Sequence, residues 1–424
     1  MFSGSKVFML TINDVFLPWR ANVLHNLVQI GVFLFGALSL AIPSGYSYGP
    51  ALLLLASLFV CWRPIYWTRM PSEIKVLAYI FALYFCVQAI SIWLDDGAIR
   101  ELDRPSRVLM AIMILPLLVN HPVHIISLTF GFGVGACAAG LVAVYDKLYI
   151  GMARAFDDVM PIQAGNISMT LGLLCLCSYF WFKMQGRLNY AIFMLFSSMM
   201  GMLGSFLSGT RGGWILLPFI LFTIVMFFKA KFCRANKIAS IIFLVFSIGI
   251  ILTPQTKVMS RIYSAHDDVV QFFNGGDKNT SVGIRFQLWN SALDAFLKKP
   301  LFGWGNNHIR QAQFEQMSSG TITSFIYEFD SHAHNQFLDE MAKRGIIGLL
   351  AIVLLFTYPF YLFKKGSKSK LSTIMLGVSS LAIIDYSLTQ VFIGHNSGIV
   401  FFSMLFSILV VMNSMNDEVS VYER

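Results

Sequence analysis

The sequence contains few charged residues: Asp, Glu, Lys and Arg make up only 12% of its 424 residues. An ordinary globular protein carries about twice that fraction, so this composition excludes a set of soluble domains. Hydrophobic residues make up 56%, and apolar runs of membrane-spanning length recur along the chain. We therefore predict an all-α polytopic membrane protein built as one bundle. The net charge of +9 is interpreted as a signal of membrane orientation, and no nucleic acid is predicted as a partner.

Cysteine is also scarce, and the six cysteines do not form a metal-binding pattern. None lies in the long polar segment, and Cys175 and Cys177 are two residues apart on a predicted helix, so they point to different sides. We interpret the cysteines as packing residues. Pairs of neighbouring aspartates could hold a hard cation, but solvated acids are usual in turns. The sequence therefore predicts no metal and no cofactor.

The apolar runs predict about twelve transmembrane helices. Spans 1–9 occupy residues 1–253, a large loop domain with amphipathic helices occupies 254–344, and spans 10–12 with a tail occupy 345–424. The predicted spans lie near 23–43, 47–62, 75–94, 107–120, 123–146, 162–182, 188–207, 212–229, 238–253, 345–363, 371–393 and 396–413.

Lysine and arginine are concentrated in alternate short connections between these spans. By the positive-inside rule, these connections and both termini are cytoplasmic. The loop domain then faces the periplasm, if the host is a double-membraned bacterium and the protein spans its inner membrane. The basic connections contain Arg63, Arg69, Lys75, Lys183, Arg187, Lys229, Lys231, Arg234, Lys237, Lys364, Lys365, Lys368 and Lys370.

The loop domain is too long for a structureless connection and should fold against the membrane. Its clearest element is a predicted helix over 282–299, with apolar residues along one face and Arg285 in the middle of that face. An arginine in this position either binds an anion or extends to the lipid headgroups, and the pattern leaves both possibilities open.

A second arginine lies in a glycine-rich turn just before span 8, within residues 208–214. Exposed N–H groups at a helix N-terminus favour an anion, and the Arg211 guanidinium can bind two phosphate oxygens. The alternative is an interfacial anchor, because arginine beside glycine and tryptophan is common at membrane surfaces.

The loop domain closes with the run 330–345, which the apolar spacing predicts to be helical. Asp330 or Ser331 would be the N-cap, which places His334 in the first turn with its ring toward the apolar side. Because a helix N-terminus disfavours imidazolium, His334 is expected to be neutral and able to accept a proton. Considered alone, a histidine packed into a loop helix is the simpler interpretation.

Arg285, Arg211 and His334 lie on the same predicted face of the membrane. Two guanidiniums and a base suit attack on a carbon that bears a diphosphate. Diphosphate leaves as an anion, so charge neutralisation can replace the general acid that an alkoxide leaving group needs. The base has only to take the proton of an incoming hydroxyl.

With these residues the sequence resembles the bacterial O-antigen ligase and O-antigen polymerase superfamily. The resemblance rests on the arginine–glycine turn 209–214, a long outer loop, and a His-x-His-Asn motif at 332–335 that leads into a membrane helix. The loop run from Ser281 through Arg285 to 300–305 also resembles the family's loop helix and its exit.

The resemblance implies a GT-C-like membrane glycosyltransferase of lipopolysaccharide biosynthesis. Such an enzyme moves a preassembled glycan from undecaprenyl diphosphate to a sugar hydroxyl of lipid A-core, with inversion and without metal. By position, His334 would be the base, and Arg211 and Arg285 would hold the donor diphosphate. Weaker candidates for substrate contacts are Arg100, Arg104, Arg107, Arg261, Arg310, His332, Asn335 and Asp385.

Three other functions stay open at this point. O-antigen polymerase shares the donor and the chemistry but uses a second lipid-linked glycan as acceptor. Protein O-oligosaccharyltransferases of the superfamily usually have more chain after the histidine motif. A lipid-linked glycan transporter would need a central polar pathway, whereas Asp385 is the only clear mid-membrane acid in the sequence.

The predicted orientation can be tested by cysteine labelling. Cysteines introduced at Lys278 and Ser319 should react with an impermeant thiol reagent in cells whose outer membrane alone is permeable, because the cation asymmetry places both sites outside. Labelling that requires a broken inner membrane would reverse the orientation.

Overall fold

A computed structural model describes residues 12–156, 159–210, 212–228, 249, 258–329, 332–366 and 370–415. Within these ranges the chain forms helices and no strand. The α-helices are α1 (Ile12–Ala37), α2 (Tyr48–Ser57), α3 (Pro64–Thr68), α4 (Ser72–Leu94), α5 (Arg107–Asn120), α6 (Ile125–Val144), α7 (Pro161–Met184), α8 (Leu188–Leu207), α9 (Leu217–Phe228), α10 (Val258–Phe273), α11 (Ser281–Lys298), α12 (Gly305–Ser318), α13 (Ser324–Phe329), α14 (Gln336–Lys365), α15 (Leu371–Ser387) and α16 (Asn396–Ser414).

The helical architecture confirms the predicted fold class of a polytopic membrane protein. In the described part of the chain, six helices are long and apolar enough to cross a bilayer by themselves: α4, α6 with its extension to Tyr149, α7, α8, α14 and α16. Shorter apolar helices lie in the predicted spans 1, 4, 8 and 11. The ninth predicted span, 238–253, lies outside the described residues apart from position 249. The number twelve therefore stays a prediction.

Small residues allow the helices of the bundle to approach closely. Gly36 of α1 lies against Gly131 of α6, and a Cβ at Gly36 would come 2.6 Å from the backbone nitrogen of Phe132. Gly172 of α7 meets Gly201 of α8 in the same way, because a Cβ on Gly201 would come 2.8 Å from Gly172 Cα. Such close contacts replace the hydrophobic driving force that is absent between helices in lipid. The centre of the bundle is formed by α7, α15 and α16, in which nearly every side chain is buried.

The loop domain attaches to one end of the bundle, which we call the loop end. Asp95, buried at the C-terminal end of α4, accepts hydrogen bonds from the backbone N–H groups of Asn307 at 2.5 Å and His308 at 3.1 Å. These N–H groups belong to the first turn of α12, where a carboxylate compensates unpaired donors and the helix dipole. Asp95 therefore fixes α12 to the membrane bundle.

A second attachment joins the turn 300–305 to α14 through backbone hydrogen bonds. Trp304 N–H donates to the Ala342 carbonyl at 3.0 Å, and Ile346 N–H donates to the Pro300 carbonyl at 2.8 Å. Between these bonds Gly345 has φ 64° and ψ −155°, which marks a kink inside α14. A Cβ on Gly345 would collide with the backbone at Leu301. The kink separates the histidine-motif end of α14 from its membrane-spanning part.

Three boundaries differ from the sequence predictions. The N-cap of α14 is Asn335, not Asp330 or Ser331, which lie outside the described residues. Its side-chain oxygen accepts N–H groups of the first turn, so His334 precedes the helix instead of lying within it. Helix α15 ends at Ser387, whereas span 11 was predicted to continue to residue 393. The predicted loop helix over 282–299 is present as α11, shifted by one residue.

Gly345→Ala should destabilise the protein more than Gly320→Ala, a matched change at the tip of the loop domain. Both glycines have positive φ, so both substitutions carry a backbone cost of about 1–3 kcal/mol. Only at Gly345 does the new Cβ also meet backbone, because the space around Gly320 is open. We expect a lower melting temperature for Gly345→Ala in detergent, and equal melting temperatures would contradict the packing described for the kink.

Candidate functional site

The histidine motif forms a tight turn at the loop end, immediately before α14. His334 has φ 48°, and its backbone N–H donates to His332 Nδ1 at 3.2 Å. The two imidazole rings lie close, with their centroids 4.1 Å apart. Asn335 continues the turn: its Oδ1 caps α14, while its Nδ2 donates to the Leu388 carbonyl at 3.1 Å. The motif is therefore held against the C-terminal end of α15.

Gln390 determines which nitrogen of His334 can accept a proton. The buried Oε1 of Gln390 lies 3.1 Å from His334 Nδ1, and it also accepts the N–H of Val391 at 3.3 Å. An amide oxygen only accepts hydrogen bonds, so Nδ1 carries the hydrogen in this contact. The lone pair of the neutral ring is then on Nε2. Gln390 was not identified from the sequence, because the apolar run of span 11 continues past it; the only signal was a glutamine near the end of that run.

The glycine-rich turn before α9 packs beside the same segment. A Cβ on Gly212 would collide with Thr389, the neighbour of Gln390, and a Cβ on Gly213 would come 2.9 Å from the Tyr386 ring. Thr210, on the other side of the turn, is buried, and its hydroxyl donates to the Pro161 carbonyl at 3.2 Å. Arg211 itself lies outside the described residues. The residues that flank it are therefore packed next to the segment that holds His334.

Arg285 is half-buried on α11, as expected from its position on the apolar face. No carboxylate of the described ranges lies within 4 Å of its guanidinium. Burial, and then the neighbouring charge of Arg154, lower the pKa of Arg285 from its ordinary value. An arginine still stays protonated at neutral pH, so two positive charges lie near each other at the loop end.

Arg154 is a site residue that sequence reasoning missed. It lies in the connection between α6 and α7, which folds back through two hydrogen bonds: Phe156 N–H to Asp146 Oδ2 at 2.7 Å and Ala155 N–H to the Leu207 carbonyl at 3.3 Å. Leu207 ends α8, just before the glycine-rich turn. The sequence carried no signal for this placement, because only tertiary packing brings the connection to α11.

The weaker candidates fall into different places. Arg310 stacks on the Tyr327 ring at 4.3 Å and donates to Gln313 at 2.9 Å. Arg107 pairs with Asp103 at 2.8 Å. Both arginines are thus bound to other side chains of the protein. The side chain of Arg261 lies outside what the structure describes. Arg100, Arg104 and His332 line a polar cleft at the loop end.

Asp385 lies in the last turn of α15, close to the loop end and not in the middle of a membrane span. It is fully buried, and neither carboxyl oxygen has a hydrogen-bond partner among the described residues. Among the described residues, no group of three or more His, Cys, Asp or Glu has a metal-binding arrangement.

The chain is similar to known proteins over the region that contains this site. The family described as O-antigen ligase matches residues 192–353, which run from α8 through the loop domain into α14. An uncharacterized protein of Haemophilus influenzae is 31% identical over 383 residues, covering 88% of this chain and 95% of the relative. The O-antigen ligase of Escherichia coli K12 is 22% identical over 217 residues, half of each chain.

A general O-oligosaccharyltransferase of Acinetobacter baylyi is 29% identical over 112 residues, covering 26% of this chain and 19% of the relative. The family match contains the glycine-rich turn, Arg285 and the histidine motif, which are the features that carry the resemblance in the sequence. With its helical membrane architecture, the chain belongs to the O-antigen ligase superfamily.

Proposed function

We propose that this protein is an O-antigen ligase that joins a preassembled glycan to lipid A-core. The observation that carries the proposal is the contact between Gln390 and His334, which leaves Nε2 of the neutral ring as the basic nitrogen. The donor is a glycan linked to undecaprenyl diphosphate, and the acceptor is a sugar hydroxyl of the core. The similarity to a protein named O-antigen ligase supports this choice of reaction.

In the proposed reaction, His334 Nε2 takes the proton of the acceptor hydroxyl as its oxygen attacks the anomeric carbon of the donor glycan. A new glycosidic C–O bond forms, and the bond between that carbon and the diphosphate oxygen breaks on the opposite side. The configuration at the anomeric carbon is therefore inverted. Undecaprenyl diphosphate leaves as an anion, and the proton stays on His334 until it is released to solvent.

The arginines stabilise the charge that develops on the diphosphate. Arg285 and Arg154 lie near each other without a carboxylate partner within 4 Å in the described ranges, so an anion between them would relieve their repulsion. Arg211 is assigned to the same role from the position of its flanking residues against Thr389. Fixed positive charge of this kind acts most strongly in the transition state, so no metal ion is required.

The reaction is proposed to take place at the periplasmic face of a bacterial inner membrane, with both termini in the cytoplasm. The loop end is then the periplasmic end of the bundle, which agrees with the basic connections lying at the opposite end of the spans. Lipid-linked donor and acceptor can both reach such a site from the surrounding bilayer.

The roles of the base and the arginines can be separated kinetically. His334→Ala should leave donor binding nearly unchanged but slow transfer by about 10²-fold or more, because the base acts only in the transition state. Arg285→Ala and Arg154→Ala should weaken donor binding and also slow transfer, and lysine should rescue each only partly because it lacks the planar fork. Donor binding and single-turnover transfer are measured with purified, folded variants.

Arg310→Ala is the matched control, since it removes an arginine of the loop domain whose contacts are with Tyr327 and Gln313. It should transfer glycan at nearly the wild-type rate. If His334→Ala also does so, the proposed base is wrong and the histidine has a packing role.

Gln390→Glu should move the acid limb of the pH–rate profile to higher pH. The new carboxylate beside Nδ1 would stabilise the imidazolium, so a higher pH is needed before Nε2 can accept a proton. We expect the midpoint of the acid limb to rise by about one pH unit or more. Gln390→Met, which supplies no carboxylate, should lower the rate without this displacement. An acid limb that stays in place in Gln390→Glu would show that His334 does not act as the base.

A further inference from the structure

A polar cleft of about 500 Å³ opens at the loop end beside the histidine motif. Its walls come from the C-terminal part of α4, residues 100–105, the N-terminal part of α14 and the segment 391–395. This volume lies within the range of small-molecule sites in proteins. Three side-chain amides line it: Gln88, Asn306 and Gln336. Gln88 and Gln336 donate to Glu340, and Asn306 donates to Glu101. An amide has two N–H groups and two oxygen lone pairs, so each keeps capacity for a hydroxyl of a ligand.

The carboxylates of the cleft are each engaged by the protein. Asp339 pairs with Lys343 at 3.0 Å, and Glu340 pairs with Arg344 at 3.3 Å. Asp103 pairs with Arg107. These acids are therefore compensated and do not make the cleft negative.

Glu101 completes the set of acids, since it accepts from Asn306 Nδ2 at 2.8 Å and from the backbone N–H of Ala98 at 3.1 Å. Two arginines of the cleft have no carboxylate partner: within the described ranges, no carboxylate lies within 4 Å of Arg100 or Arg104. Arg104 donates instead to the Gly394 carbonyl at 3.1 Å. Both arginines are exposed, so each can present its guanidinium to an anionic group of a ligand.

The cleft reaches the histidine motif at His332. His332 lines the cleft, and its ring lies against that of His334. Among the described residues, the glycine-rich turn, Arg154 and Arg285 do not line the cleft. A ligand in the cleft would thus contact His332 at a place distinct from the residues proposed to hold the diphosphate. An acceptor bound there could present a hydroxyl to the motif without displacing the donor diphosphate.

We propose that this cleft binds the acceptor through a phosphorylated, hydroxyl-rich sugar, with Arg100 and Arg104 contacting its phosphate. The assignment rests on the proposed function, because it requires that the donor diphosphate lies at Arg285. The protein would then have two anion sites, one for the donor diphosphate and one for the acceptor phosphate. The other possible occupant, the distal sugars of the donor glycan, is distinguished by the experiment.

Arg100→Ala tests the assignment, since this exposed side chain makes no hydrogen bond or ion pair with another described residue whose loss would unfold the protein. Lys278→Ala, which removes an exposed cation of the loop domain outside the cleft, is the control. Steady-state transfer is measured with the full-length protein while donor and lipid A-core are varied separately. Arg100→Ala should raise the KM for lipid A-core about tenfold, as expected for loss of one charge-assisted hydrogen bond, and leave the donor KM unchanged. Arg100→Lys should recover part of the loss.

A binding measurement keeps this test independent of catalysis. In a His334→Ala background, lipid A-core with its phosphates should bind about tenfold more tightly than chemically dephosphorylated lipid A-core, and Arg100→Ala should remove that preference. Inorganic phosphate alone should not compete at the concentration of the lipid. Three results would overturn the assignment. The first is that Lys278→Ala also removes the preference for phosphorylated lipid A-core. The others are that Arg100→Ala has no effect, or that it raises only the KM for the donor. Absence of transfer by the wild-type protein would contradict the proposed function, whereas phosphate-dependent binding would still report on the cleft.

Discussion

The hydrogen bond between His334 and Gln390 is the contact on which the rest of the site depends. It joins the end of the loop domain to the segment that follows α15, and it fixes the ring so that Nε2 carries the lone pair. Asn335 reinforces the same junction by capping α14 and donating to the Leu388 carbonyl. A neutral histidine outside this junction could take either tautomer. The basic nitrogen therefore owes its direction to a residue of the membrane bundle.

The loop domain is attached to the membrane bundle at two further points. Asp95 binds the first turn of α12, and the Gly345 kink of α14 exchanges backbone hydrogen bonds with the turn 300–305. Both attachments are at the loop end, where the backbone would otherwise leave N–H and carbonyl groups unpaired beside the membrane. The positions of α11 and Arg285 follow from them, because α11 packs on α14.

The sequence predicted those parts of the fold that depend on local patterns. Hydrophobic run length located the helices, and apolar spacing located α11 to within one residue, with Arg285 on its half-buried face. The end of α15 was wrong because Phe392 and Ile393 continue the apolar run although the helix has ended at Ser387. Gln390 and Arg154 could not be found for a related reason: their roles arise from contacts between segments that are far apart in the chain. Arg211 stays a prediction, since only its flanking residues are described.

The proposed reaction at the loop end joins a donor glycan to an acceptor hydroxyl and releases undecaprenyl diphosphate. The most direct test is the wild-type protein, purified and reconstituted with undecaprenyl-diphosphate glycan and lipid A-core, with both products quantified by mass spectrometry. The account predicts one glycan on lipid A-core, in inverted linkage, for each undecaprenyl diphosphate released. A longer lipid-linked glycan with unchanged lipid A-core would indicate polymerisation instead. Donor glycan that crosses the membrane without forming a new glycosidic bond would contradict the account.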